Sequence, residues 1–237
     1  LLEWKSDVDG LISTKGADST GLIQFFMDTL TVGSHTLEVT ATDSDGLYSV
    51  GLVPFTVNGL PTAPAIRLDP SAPVTSDDLT ATITTPSTDP EGDVVSYSYQ
   101  WFLNGTLSSA STSYVLPAGA TSQGETWTVE VIPNDGNGDG DKASASVTIL
   151  NSAPVISGVV VTPSTAVTTS TTLTCTSSAM DPDGETPTLS YNWTDSSGSS
   201  LGKGTTLVLT PTSVSPGDSV TCEVTATDAV GATDAQS

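Results

Sequence analysis

The feature that most limits what this chain can fold into is a repeat with a period near 92 residues. Glu38–Asp43 (EVTATD), Glu130–Asp135 (EVIPND) and Glu223–Asp228 (EVTATD) recur at spacings of 92 and 93. Trp101 and Trp193, in SYQW and SYNW, are 92 apart, as are Asp89-Pro90-Glu91-Gly92-Asp93 and Asp181-Pro182-Asp183-Gly184-Glu185. Asn58 and Asn151 are 93 apart, each shortly before an Ala-Pro step. A period of this length is that of a whole small domain rather than of a solenoid turn. The 237 residues hold about 2.6 periods, which places domains at 1–59, 60–150 and 151–237. The first opens at Leu1-Leu2-Glu3-Trp4, the counterpart of the mid-domain SYQW, and is expected to hold C-terminal strands only. The last stops in GATDAQS, short of the strand that KASASVTIL provides in the second, so both ends read as severed.

Within each period the pattern is two. Apolar and hydroxyl residues alternate in Leu173-Thr174-Cys175-Thr176 and again from Ser219 to Thr225, the signature of half-buried strands. Clusters of Pro, Gly, Asn and Asp interrupt these runs about every 8–12 residues. The chain carries 40 Thr and 33 Ser against five Lys+Arg, a composition suited to pleated sheet and poor for helix. The expected fold class is therefore all-β: tandem immunoglobulin-like β-sandwiches with the first unit truncated. In the third unit, strand A is read in VISGVVVTP, B in TTLTCTS, C in LSYNW, E in TTLVLTP, F in SVTCEVTAT and G after Gly231. Cys175 then sits on B and Cys222 on F, with Trp193 on C between them. That arrangement suits a disulfide bridging the two sheets against an indole; the alternative is two buried free thiols. The second unit has Ala81 and Val129 at the matching positions.

The Tyr-x-Trp on strand C, the Pro-Gly-Asp-x-Val before strand F and the ATDxxG after it resemble polycystic-kidney-disease (PKD) type and related immunoglobulin-like repeats. The Asp-Pro-Asp-Gly loops and Asn…Ala-Pro linkers resemble those of bacterial cadherin-like repeats. The resemblance covers all three units and departs from the PKD pattern after Trp193, where Thr-Asp-Ser-Ser-Gly replaces the usual Gly-Asp-Gly. It implies spacers, stalks or adhesive parts of large secreted or surface proteins.

The acidic residues are concentrated. The second unit has Asp89, Glu91 and Asp93 between strands B and C, and Asn134, Asp135, Asn137, Asp139 and Asp141 between F and G. The third has Asp181, Asp183 and Glu185 in the first connection, with Asp228 and Asp234 near the second. These connections share one pole of an immunoglobulin-like sandwich, where strand A also begins, so Asn58 and Asn151 in the incoming linkers could each add a carbonyl oxygen. Calcium takes six to eight hard oxygens in a flexible shell. Calcium is accordingly the expected cofactor, one ion near each junction, with Asp89, Glu91, Asp93, Asn134, Asp135, Asp139, Asp181, Asp183, Glu185, Asp228, Asn58 and Asn151 as candidate ligands. Asp-Pro-x-Gly and Asn-Asp-Gly also form turns without any metal, and the EF-hand spacing is not matched.

With a formal charge of −22 and only five Lys+Arg, the chain lacks the cations needed to neutralise phosphates, so nucleic acid is excluded as a partner. No run of about 20 apolar residues is present to span a membrane as a helix, and no direct membrane insertion is expected. No signal peptide, G-x-S-x-G, phosphate loop or HExxH appears. The one histidine, His35 in Gly-Ser-His-Thr, reads as a surface turn residue, and the paired acids sit in turns rather than in a walled cleft. The expected function is non-enzymatic: a structural spacer or stalk segment of a secreted or cell-surface repeat protein, fibre-forming or adhesive, stiffened by calcium. Its partners would be neighbouring repeats of the same longer chain, with self-assembly into a fibre as a further role. The alternative is a carbohydrate- or protein-binding module appended to an extracellular enzyme or adhesin. Asn104 and Asn192 stand in glycosylation sequons, for which chance occurrence is the better reading.

Overall fold

The computed structural model describes the whole chain, Leu1–Ser237. It is all-β. Its residues divide into two compact units, one of Leu1–Arg67, Thr82–Gln100 and Val129–Ala145, the other of Leu68–Ala81, Trp101–Thr128 and Ser146–Ser237.

The N-terminal stretch forms a single sheet from β1 (Leu2–Ser6), β2 (Gly10–Ser13), β3 (Gly33–Thr42) and β4 (Tyr48–Val57), in the order β2-β1-β3-β4. The β3–β4 hairpin pairs from Gly33↔Val57 to Thr42↔Tyr48. Its turn is set by Asp43, whose Oδ1 accepts the Asp45 and Leu47 amides at 2.9 Å each. Period two puts His35, Leu37 and Val39 on one face, with Trp4 opposite Val39. Trp4, Leu37 and Val39 stay half-buried because residues 1–57 build only this one layer. The Trp4 indole donates to the Lys15 carbonyl at 3.2 Å and meets Phe25 edge-on at 5.3 Å.

His35 departs from the surface position expected of Gly-Ser-His-Thr: it is buried. It lies on the inner face of β3, stacked on Phe55 at 5.1 Å. Its Nδ1 is 2.7 Å from Ser6 Oγ, and its Nε2 is 2.7 Å from the Thr31 carbonyl. Ser6 Oγ also accepts the Val8 and Asp9 amides, so the hydroxyl closes a turn. The repeat itself carried the signal, since 92 residues on the same position is the buried Trp127.

The middle stretch supplies β5 (Ala65–Asp69), β6 (Leu79–Thr85), β7 (Ser96–Leu103), β8 (Thr106–Ser108), β9 (Val115–Leu116), β10 (Thr126–Asn134) and β11 (Ala143–Thr148). They form two sheets, β5-β6-β9 and β11-β10-β7-β8. Strand β10 alternates strictly, with Trp127, Val129, Val131 and Pro133 inward. Trp101 is buried and its indole donates to the Ser113 carbonyl at 2.9 Å. Asn104 and Gly105 turn β7 into β8 with φ of 49° and 82°, the left-handed pair that matches the twist of a two-residue hairpin.

The third sandwich has β12 (Val155–Thr162), β13 (Thr172–Met180) and β16 (Thr206–Val208) in one sheet, ordered β12-β13-β16. The facing sheet is β15-β14-β17-β18, from β14 (Thr188–Asp195), β15 (Ser200–Lys203), β17 (Val220–Thr227) and β18 (Thr233–Gln236). Trp193 and Cys222 are directly opposed on β14 and β17. A disulfide joins Cys222 to Cys175 on β13, so it crosses between the sheets. Around it pack Ile156, Leu173, Leu207, Leu209, Val214 and Val224. The Trp193 indole donates to the Gly204 carbonyl at 2.9 Å. The short strand β15 was not anticipated. Asp195 Oδ1 accepts the Ser197 and Ser199 amides, which makes Thr-Asp-Ser-Ser-Gly a turn that folds the chain back along β14.

The disulfide closes a loop between residues 47 apart, so replacing both Cys175 and Cys222 by alanine should cost the third sandwich about 4 kcal/mol. Hydrogen-exchange mass spectrometry in urea, read peptide by peptide, should show β13 and β17 destabilised by that amount and β6 and β10 unchanged.

Candidate functional site

The acidic loops and the incoming linkers meet in two places, built alike. In the first, the Asn58 side-chain amide donates to Asp135 Oδ2 at 2.9 Å, and the amide of Gly59 donates to Glu91 Oε2 at 3.0 Å. In the second, the Asn151 side-chain amide donates to Asp228 Oδ2 at 2.7 Å, and the amide of Ser152 donates to Asp183 Oδ2 at 2.7 Å. Each linker is therefore held at two successive residues by one carboxylate from each acidic loop. Both Asn–Asp bonds span 77 residues.

The local sequence explains why the carboxylates are available. Asp135 Oδ1 accepts the Asn137 and Gly138 amides at 2.7 Å each. Asp228 Oδ1 accepts those of Val230, Gly231 and Ala232 at 2.7–3.0 Å. One oxygen thus closes the loop as an Asx turn and the other faces the linker. Both aspartates are buried. The asparagine amide, above all, holds each carboxyl below its usual range, with the loop amides adding to the effect; burial opposes them.

The remaining loop acids are used in part. Asp89 Oδ1 accepts the Glu91 and Asp93 amides at 3.0 Å each, and Asp181 Oδ1 accepts that of Asp183 at 2.8 Å. Glu185 accepts the Ala229 amide at 3.0 Å, tying the two loops of the third sandwich together. Asn134 and Asp139 bond each other at 2.7 Å across their hairpin, away from the linker bonds. Asp234 accepts the Ile156 amide at 2.9 Å. Thr75 joins the second junction, its hydroxyl on Asp183 and its amide 3.1 Å from Ser152 Oγ; nothing in the acidic motifs pointed to it.

Asn58 and Asn151 differ from the expected role as carbonyl ligands. Their amide nitrogens hold Asp135 and Asp228, and their carbonyl oxygens accept from Asn137 at 3.1 Å and Gln123 at 2.8 Å. As the side chains stand, no group of three or more His, Cys, Asp or Glu is gathered for a metal ion. Three buried carboxylate oxygens nevertheless lack any partner: Asp89 Oδ2 and Glu91 Oε1 at the first junction, and Asp181 Oδ2 at the second. Asp89 and Asp181 are the same position of the repeat. Glu91 and Asp93 also line an open polar cavity of about 420 Å³ with Asn58, Asn137, Ser34 and Thr56. Buried orphan oxygens call for a proton, a water or a cation, and anionic ones beside a polar cavity are hard ligands of the kind calcium uses.

Packing holds the first linker as closely as the hydrogen bonds do. A Cβ on Gly140 would lie 2.0 Å from the Pro61 carbonyl oxygen, and one on Gly59 would lie 2.6 Å from Val32 and 2.8 Å from Pro90.

No protein-family model matches the sequence, and no curated protein matches it. Among solved structures the chain is similar to the chicken CNTN1 FN1–FN3 domains, at 14% identity and a TM-score of 0.31 over 99% of this chain and 87% of that one. It is also similar to a Ca²⁺-stabilized adhesin with which an Antarctic bacterium reaches out and binds ice (16%, 0.35, 86% of this chain and 55% of that one). A third is Sidekick-1 immunoglobulin domains 1–5 (12%, 0.35, 99% and 50%). At these scores the likeness carries no weight of its own. The immunoglobulin-like fold rests on the paired sheets, the crossing disulfide and the buried tryptophans. No helix is long and apolar enough to cross a membrane.

Two outcomes follow. Asp135 and Asp228 have folded-state pKa values below the ordinary 3.8, so their contribution to stability is complete above that value and is lost as pH falls through the depressed ones. Carboxyl NMR titration should show both titrating below pH 3.8, and Asn58→Ala and Asn151→Ala should each move one of them upward. Gly140→Ala should displace the linker at Pro61, read as faster amide exchange at Gly59 and Asp141 with β3 unchanged.

Proposed function

We propose that this chain is a non-enzymatic spacer segment of a larger extracellular repeat protein, with adhesion or fibre formation as the task of the whole. In this reading the three domains are residues 1–59, 60–150 and 151–237, and neighbouring repeats are the first partners. The observation that supports it is the repeated linker clamp: Asn58 with Asp135 and Gly59 with Glu91, then Asn151 with Asp228 and Ser152 with Asp183. A binding or catalytic module has no need to reproduce its joint at each period. A spacer does, because its one mechanical requirement is that every joint resist bending.

Calcium is the second part of the proposal. The ion would draw on Asp89 and Glu91 at the first junction and on Asp181 at the second, whose free oxygens are buried. The remaining shell would come from oxygens of the same loops and from water. Bound there, it would supply positive charge to joints in which Asp135, Glu91, Asp228 and Asp183 are met only by neutral donors, and the residues around it keep the linker seated.

Isothermal titration of chelator-treated protein should give two sites with dissociation constants on the order of 10⁻⁴–10⁻³ M, the range of extracellular modules. Asp89→Asn should remove one and Asp181→Asn the other. Absence of heat at millimolar calcium would end the calcium part. The spacer part is tested separately by small-angle scattering: Asn58→Ala with Asn151→Ala should broaden the distribution of interdomain distances, and an unchanged distribution would count against it.

A further inference from the structure

Four of the five sheets carry both signs of charge on their outer faces. Lys5 on β1 stands opposite Glu38 on β3 and pairs with Glu3 at 2.8 Å. Arg67 and Asp69 flank the buried Leu68 on β5. Glu130, outward on β10, pairs at 2.8 Å with Lys142, which leads into β11. Asn192 on β14 lies between Lys203 on one side and Glu223 on the other.

The β12-β13-β16 sheet is the exception. Its register turns Leu173, Cys175 and Leu207 into the core, so the alternate positions face out. Val155 then lies beside Met180, Val160 beside Thr176 and Val208 beside Thr172. These four apolar side chains are 54–77% exposed. Every other outward position on the three strands is serine or threonine, and none is charged. Where β5 has Arg67 and Asp69, β12 has Val160 and Thr162, 93 residues on.

The edges of this sheet are not built to pair. β12 is broken by a bulge between Ser157 and Val159, where Gly158 takes a φ of 74°, and β16 is three residues long. Bulges and short strands are how sheet edges avoid strand addition. The face is what the sheet offers.

We propose that this uncharged face is a self-association surface whose occupant is the same face of a second copy. Three arguments select a copy. On a molecule of charge −22, this is the sheet face where two copies can meet without setting charge against like charge. A hydroxyl both donates and accepts, so a face whose polar groups are all hydroxyls is complementary to itself; Ser157 and Ser178 already bond each other across it at 2.8 Å. A cationic partner, by contrast, would be drawn to the acidic poles. Strands about 4.8 Å apart that rise about 3.4 Å per residue give the face roughly 400 Å² per copy. That is small for a stable dimer, so a single pair is weak, and strength comes from repetition along a longer protein. The inference names the surface through which fibres would form, and it needs neither the linker clamp nor calcium.

Sedimentation equilibrium of the 237-residue chain with chelator present tests it apart from those readings. Reversible self-association is expected with a dissociation constant on the order of 10⁻⁴ M. Raising NaCl from about 0.1 M to about 0.5 M should tighten it at least about twofold, because screening removes repulsion between the two acidic bodies. Val160 lies midway along the face, and Val160 and Thr176 are both exposed. Val160→Glu and Thr176→Glu should therefore each weaken association at least about tenfold without unfolding the sandwich, and Val160→Thr should leave it within about twofold. A monomer up to about 1 mM overturns the site. Association that salt weakens, or that both glutamate variants retain, overturns it equally.

Discussion

The joints depend on a neutral amide meeting a buried aspartate. With 27 acidic and five basic side chains besides one histidine, ion pairs cannot satisfy the carboxylates of this chain. Lys5 with Glu3 and Lys142 with Glu130 are paired at 2.8 Å, which takes up Lys142, the one lysine in the acidic loops. At the poles of the sandwiches the donors are backbone N–H groups and asparagine amides. These place hydrogen-bond donors against a carboxylate without requiring a second charge to be desolvated, whose cost often exceeds the Coulombic gain.

The geometry then divides each carboxylate between two tasks. An aspartate that begins an Asp-x-x-Gly turn has one oxygen occupied by the amides of the turn. At Asp43 and Asp195 the turn is the role the bonds describe. At Asp135 and Asp228 the second oxygen is turned toward a linker, and Asn58 or Asn151 reaches it. The same local chemistry therefore makes a plain turn or half of a joint, depending on whether a donor arrives from outside the loop.

That division sets what could be read from the sequence. The strands other than β15, the inward tryptophans and the pairing of Cys175 with Cys222 were legible because period two and a fixed spacing are one-dimensional properties. The acidic poles were legible as composition. The orientation of Asn58 and Asn151 was not, since whether an amide presents its nitrogen or its oxygen depends on the partner, and Asp135 lies 77 residues away. Thr75 was missed for the same reason, being 108 residues from Asp183. His35 was legible only by comparison with Trp127; its own neighbours, Gly33, Ser34 and Thr36, suggest a turn.

The charge of −22 also separates what simple salt can do from what a divalent ion can do. At about 0.1 M salt the Debye length is about 10 Å, so repulsion between separate molecules is screened. Within a pole the carboxylates share hydrogen-bonded loops and are partly buried, and screening acts weakly there. Monovalent salt should therefore weaken the repulsion between separate chains while leaving the hydrogen-bonded poles alone. An ion that stiffens a joint has to enter it and use oxygens the amides have not taken. Asp89 Oδ2, Glu91 Oε1 and Asp181 Oδ2 are such oxygens, and two of them, on Asp89 and Asp181, stand at the same position of the repeat.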